Sequence, residues 1–219
     1  MDFRDYRDRG EPLDVLAARQ MEALGVRLDD RLAVFALLAP LGLKREGGAF
    51  HRAHCLRVGL LAGEVARFAG RDERACLLAG LLHDAGKALV PCCTLEATER
   101  WTDEDRGAME RHVEDGFRLL RDRFDFTALV IAGHHRLQRA PYPATLLVPA
   151  LPLSEATLDK ARACTEALVI ADVYDALHRV NSATGGAALD EQDVADRMFS
   201  ALPASGGLLK KLYANRVLG

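Results

Sequence analysis

The chain has 219 residues, 49% of them hydrophobic, with a formal net charge of −3. That length fits one domain with room for a small extension, and the apolar share is enough for a sizeable core. Basic and acidic residues are interspersed and no basic face stands out, which excludes extended nucleic acid as an expected partner.

The first stretch, MDFRDYRDRGEP, is charged throughout and lacks the apolar region of a signal peptide. Pro12 suits a first helical position, and Leu13, Leu16, Ala17 and Leu24 follow at helical spacing up to Gly25. A second helix is predicted from Asp30 to Ala39, stopped by Pro40 and Gly42. Its apolar run, LAVFALLAPLGL, is too short to span a bilayer. A cytoplasmic chain with no membrane contact is therefore expected. After Glu46-Gly47-Gly48 a long helix is predicted from Phe50 to Ala69, ending at Gly70. Another runs from Asp72 to His83. Cys92 and Cys93 read as two small hydrophobes in a loop, and the five cysteines, irregularly spaced, as reduced thiols. Thr102 followed by Asp103, Glu104 and Asp105 is an N-cap with an acidic first turn, predicting a helix to about Arg123. A shorter helix spans Thr127 to His135. The four prolines of APYPATLLVPALPLSE exclude helix there. Its uncharged ATLLVPALPL packs on the core, covers a cleft, or meets a second subunit in a homodimer. Helices from Ala156 to Val180, Asp190 to Leu202 and Gly207 to Arg216 complete the chain. No alternating strand pattern of useful length occurs, so the fold class is all-α.

The histidines occupy particular places on these helices. His54 shares a face with Val58, Leu61 and Val65. His83 follows Cys76, Ala79 and Gly80, small residues that leave room for an ion. His112 lies in line with Met109, Gly116 and Phe117. His134 and His135 close an apolar segment at Gly133, where a helix end lets two neighbours reach one centre. Asp84 follows His83 directly, and Asp172 and Asp175 interrupt the otherwise apolar EALVIADVYDAL. Any one of these has an ordinary reading as a satisfied core residue. Five imidazoles and two carboxylates together at inward positions would be a costly core unless divalent metals repay their desolvation. So many ligands imply two or more ions. His51 and His178 are left without a role and are expected to be exposed.

With these residues in place, the stretch from Phe50 to Val180 resembles the HD superfamily of metal-dependent phosphohydrolases, and within it the HD-GYP branch. The carriers are HCLRV from His54, LLHDAGK, Pro91, WTDED with the following His112, Gly116, GHH at His134-His135, and IADVYDAL. There are three departures. The family's Glu after the paired histidines is Arg136 here, and Pro141 replaces the last glycine before Tyr142-Pro143. The Glu that trinuclear members carry one turn before the first histidine is Phe50. The arginine-rich segment after the last helix is matched only by Arg179.

The resemblance implies an HD-domain helical bundle over residues 46–219, with an N-terminal arm and helices over residues 1–45. It implies a phosphodiesterase acting on a small nucleotide, with cyclic di-GMP as the leading substrate. The alternatives are an HD phosphohydrolase of another nucleotide or phosphoester, and a metal- and nucleotide-binding effector that does not hydrolyse. The expected cofactors are two divalent ions, Fe or Mn ahead of Zn or Ni. His54, His83, Asp84 and Asp172 are assigned to one ion and His112, His134 and His135 to the other, with Asp84 bridging. Two ions roughly 3.5–4 Å apart can share a bridging hydroxide near neutral pH. Lys87, one turn beyond Asp84, is implied at the substrate phosphate; its alternative is a solvated lysine at a helix end. Arg136, Tyr142, Asp175 and Arg179 are further candidate substrate contacts. For Asp175 two alternatives stay open, orienting a ligand histidine or pairing with Arg179 at i+4.

Overall fold

Every regular element among the described residues is helical. The computed structural model describes residues 11–43, 45–95 (backbone alone at 45–49), 102–137, 141–143, 145, 147, 152–178 and 188–219. In chain order the elements are α1 (Leu13–Ala23), α2 (Leu28–Leu43), α3 (Arg45–Phe68), α4 (Glu73–Leu82), a 3-10 turn (Ala85–Leu89), α5 (Cys92–Leu95), α6 (Asp103–Glu110), α7 (His112–Leu120), α8 (Asp125–Ile131), α9 (Glu155–Leu177), α10 (Glu191–Ala201), a 3-10 turn (Pro203–Ser205) and α11 (Gly206–Ala214). None is long and apolar enough to cross a membrane.

Side-chain caps set the starts. Asp72 accepts from the Ala75 amide, Ser154 from Thr157 and Asp190 from Asp193. Thr102 and Asp105 form a reciprocal capping box, which satisfies two of the amides a helix start leaves open. Two boundaries differ from the pattern-based reading. Pro40 lies inside α2 rather than ending it. Ala36, whose carbonyl loses its bond to the missing Pro40 amide, and Pro40 itself are both exposed, so the loss falls on the solvated side. The single helix expected from Thr102 to Arg123 is two, α6 and α7, interrupted at Arg111. At that break the His112 imidazole bonds the Met109 carbonyl, a side-chain competitor for a helical acceptor.

The core is continuous from α1 to α11. Leu16 and Met21 of α1, Val34 and Leu38 of α2, Leu56 and Leu61 of α3, Leu77 and Leu81 of α4, Leu168 of α9 and Leu212 of α11 belong to one buried cluster. Helices α3 and α4 approach most closely where Gly59 faces Gly80. A Cβ on Gly80 would stand 2.6 Å from the Gly59 Cα and 2.8 Å from the Val58 carbonyl oxygen. The small residues before His83 were expected to leave room for an ion; Gly80 instead admits the neighbouring backbone. That contact holds the helix of His54 against the helix of His83.

Candidate metal centre

Five helices and a 3-10 turn bring the predicted residues together. His54 projects from the middle of α3. His83 caps the C-terminal end of α4, and Asp84 leads straight into the 3-10 turn that carries Lys87. His112 begins α7, His134 and His135 follow α8, and Asp172 lies in the last turns of α9. His54, His83, Asp84, His112, His134 and Asp172 are buried, and His135 is half-buried. Two groups of potential ligands emerge: His54, His83 and Asp84, and His112, His134 and His135.

Asp84 stands between the groups. Its Oδ2 is 3.3 Å from His83 Nε2 and 3.6 Å from His54 Nε2, while its Oδ1 is 3.3 Å from His112 Nε2. Asp172 Oδ1 lies 3.2 Å from His54 Nε2 and 3.8 Å from His83 Nε2, on the side of the first group.

The outer hydrogen bonds of the imidazoles decide where their lone pairs point. Nδ1 of His83 is 2.8 Å from the Gly80 carbonyl oxygen, Nδ1 of His134 is 2.6 Å from that of Ile131, and Nδ1 of His112 bonds that of Met109. A carbonyl only accepts, so each Nδ1 donates, and the neutral form of each ring would turn the lone pair of Nε2 inward. His112 and His134 then face each other through two lone pairs 3.4 Å apart. His83 Nε2 and both ring nitrogens of His135 are buried without a hydrogen-bond partner among the described residues. Lone pairs that converge with no protein donor are satisfied by a cation, and imidazole nitrogen with carboxylate oxygen suits a divalent transition metal. The donor set therefore fits one or more such ions.

The charge states of His134 and His135 agree with this arrangement. Burial, reinforced by the neighbouring imidazoles, pushes His134 well below the usual histidine range. Burial also brings His135 down to about 4, so both rings are neutral at physiological pH. His83 is raised instead: burial opposes its charging, but the Asp84 carboxylate outweighs it. Burial works against ionising Asp84 and Asp172 as well. His83 and Lys87 nevertheless hold Asp84 well below the carboxylate range, and His54 and His83 do the same for Asp172.

The candidate substrate residues are placed unequally. Lys87 Nζ is 2.6 Å from Asp84 Oδ2 and its side chain is mostly buried, so it is not a solvated lysine. Tyr142 stacks on His135 with ring centroids 4.3 Å apart and meets His112 edge-on. Arg136 donates to the Pro143 carbonyl at 2.8 Å and so ties the loop that follows the paired histidines. Asp175 was a candidate substrate contact, with orientation of a ligand histidine or pairing with Arg179 as open alternatives; its contact with His54 fits the first of these alternatives. It is fully buried behind His54, with Oδ2 2.7 Å from His54 Nδ1. Its carboxylate also takes Arg57 Nε at 2.6 Å. Arg179 and most of ATLLVPALPL lie outside the described residues. His51 and His178, expected exposed, are half-buried; His178 packs on Tyr174 and bonds its carbonyl. Pattern reading missed Arg57. The available signal was spacing: Arg57 is one turn past His54 just as Asp175 is one turn past Asp172.

A cavity of about 390 Å³ lies elsewhere, lined by Arg27, Asp72, Arg74, Arg123, Phe126 and Lys160. Its charges largely pair with one another, Lys160 with Asp72 at 2.6 Å and Arg123 with Asp30 at 3.2 Å.

The family described as HD domain matches residues 52–180. The cyclic di-GMP phosphodiesterase response regulator RpfG of Xanthomonas campestris is 34% identical over 141 residues, 61% of this chain and 34% of that protein. Ribonuclease Y of Lactobacillus helveticus is 35% identical over 107 residues, 48% of this chain and 17% of that protein. The chain thus spans about a third or less of the length of these relatives. Among solved structures, the HD domain of the Listeria monocytogenes phosphodiesterase PgpH aligns with a TM-score of 0.50 at 16% identity, covering 82% of this chain and 85% of that one, which is a likeness of fold.

Proposed function

We propose that this chain, which belongs to the HD-domain family, is a metal-dependent phosphodiesterase whose substrate is a cyclic dinucleotide, with cyclic di-GMP first. The observation that carries the proposal is the two-sided Asp84 carboxylate between two groups of inward-facing imidazoles. In this reading His54, His83, Asp84 and Asp172 hold one divalent ion and His112, His134 and His135 hold a second, with Asp84 shared. Fe or Mn is preferred to Zn or Ni. When bound, such ions supply Lewis acidity to the phosphate oxygens and lower the pKa of water.

The remaining work falls to the chain's own residues. The Nδ1 hydrogen bonds of His54, His83, His112 and His134 fix those rings so that their Nε2 atoms are preset, which reduces reorganisation in the catalytic step. Lys87 brings a fixed positive charge beside Asp84, suited to a non-bridging phosphate oxygen. Tyr142, stacked on His135, offers an aromatic ring at the edge of the centre for a nucleobase. We place the catalytic unit at residues 46–219.

The preference for cyclic di-GMP rests on the ordered HD-GYP-like motifs and on the likeness to RpfG. The likeness to ribonuclease Y supports phosphodiester chemistry without fixing the nucleotide. One observation favours a second reading, an HD phosphohydrolase of a different phosphoester: Arg136 stands where the resemblance has Glu and is engaged with Pro143. The test is to incubate Mn- or Fe-loaded protein with cyclic di-GMP, mixed cyclic dinucleotides, linear dinucleotides and mononucleotides, and to separate the products by chromatography. Opening of cyclic di-GMP to a linear dinucleotide is the expected result. Turnover of the linear or mononucleotide esters alone selects the second reading. Binding without turnover of any of them makes the protein an effector.

A further inference from the structure

The four most deeply buried imidazoles of the centre are not held alike. His83, His112 and His134 each donate Nδ1–H to a backbone carbonyl three residues upstream, so their orientation is local to one turn of chain. His54 is the exception. Its Nδ1 is 2.7 Å from a carboxylate on a different helix, Asp175 of α9. That carboxylate is in turn gripped by Arg57 of α3, Nε to Oδ1 at 2.6 Å and a terminal nitrogen to Oδ2 at 3.0 Å. One turn earlier on the same two helices, His54 Nε2 faces Asp172 Oδ1 at 3.2 Å. Arg57 and His54 on α3 are therefore linked to Asp175 and Asp172 on α9.

The chemistry of this set is specific. An anionic acceptor makes an imidazole a stronger ligand than a neutral carbonyl does, and it fixes the tautomer. A planar guanidinium bound through two nitrogens fixes a carboxylate in both distance and rotation, which an ammonium cannot do. The arginine also sets a positive charge against the fully buried Asp175 carboxylate.

Building on the metal-centre reading above, we propose that Arg57 and Asp175 are positioning residues that set the affinity of the His54-side metal site selectively, leaving the site of His112, His134 and His135 untouched. In the second group His112 and His134 have their own local anchors, and none of its three histidines contacts Arg57 among the interactions described. Disturbing the pair thus separates two sites that share Asp84.

The experiment is a Mn²⁺ titration of the metal-free full chain, followed by the electron paramagnetic resonance of free Mn²⁺. Wild type, Arg57→Gln, Arg57→Lys and Asp175→Asn are compared, with His54→Ala and His135→Ala marking the two sites. Asp175→Asn keeps an acceptor for His54 while removing the charge. The expected result is one class of site weakened by about 10–100-fold in Arg57→Gln and Asp175→Asn. It should be the class lost in His54→Ala and retained in His135→Ala. Arg57→Lys should recover part of the affinity, because charge returns without the fork.

Unchanged affinities in variants with wild-type circular dichroism overturn the proposal. So does equal weakening of both classes. If Arg57→Gln does not fold, Asp175→Asn carries the test, and if neither keeps a cooperative thermal transition, the pair is a clamp of the fold and the positioning role is overturned. A wild-type chain that binds no divalent ion removes the metal-centre reading itself, which is a different failure from a site-selective effect that does not appear.

Discussion

Gly86, two residues past Asp84, has no room for a side chain. A Cβ there would lie 1.9 Å from the His112 carbonyl oxygen and 2.5 Å from the Gly116 amide nitrogen, both backbone atoms of α7. Real Cβ contacts do not fall below 3.0 Å, so Gly86→Ala must drive the 3-10 turn and α7 apart by roughly 1 Å. Those two elements carry Asp84 and His112, whose facing atoms are 3.3 Å apart. Overpacking of this kind costs about 1–3 kcal/mol, a fall in Tm of about 2–12 °C for a chain of this size. The larger effect is on the centre, because a 1 Å misplacement can cost about 10²-fold in rate. The assay pairs differential scanning calorimetry with metal content and turnover of the best substrate, and Gly207→Ala is the control. A Cβ at Gly207 of α11 meets nothing within 4 Å, so that variant should be neutral or gain up to about 1 kcal/mol from helix propensity. A Gly86→Ala protein with wild-type Tm, metal content and turnover would refute the reasoning.

His83→Ala or Asp84→Ala should abolish hydrolysis and reduce bound metal while circular dichroism stays helical, because these side chains serve the ion more than the packing; full activity in either would sink the assignment. Lys87→Ala should lower kcat by about 10²-fold or more with metal content nearly unchanged, whereas parallel loss of metal and activity would make Lys87 structural. Anomalous scattering on either side of the metal edge should give two peaks, since Phe50, 43% exposed, stands one turn before His54 with no donor atom; three full peaks would contradict a dinuclear centre. Chelation should lower Tm, and excess metal at about 100 times Kd should restore about 2.7 kcal/mol; a Tm indifferent to chelator would show that the ligands are satisfied without an ion.

How much of this was legible in the chain depends on the range over which each feature is decided. Helix identity and starts are local: Thr102 with Asp105, Asp72, Ser154 and Asp190 announce their helices through side chains that reach amides three residues on. The inward placement of His54, His83, His112 and Asp172 follows from helical periodicity, because a buried face repeats at fixed spacing. Their ordered motifs also carried the family. What needed tertiary structure were the relations between segments far apart in sequence. Pro40 reads as a stop, yet α2 continues through it because its freed carbonyl is on the solvated side. Gly80 reads as space for an ion, but the space belongs to Gly59 of another helix. Asp175 reads equally as a substrate contact or as the support of a ligand histidine; its depth behind His54 and its grip by Arg57 depend on how α3 and α9 cross. Periodicity states which face of a helix turns inward; only the packing of the helices decides which atom it meets there.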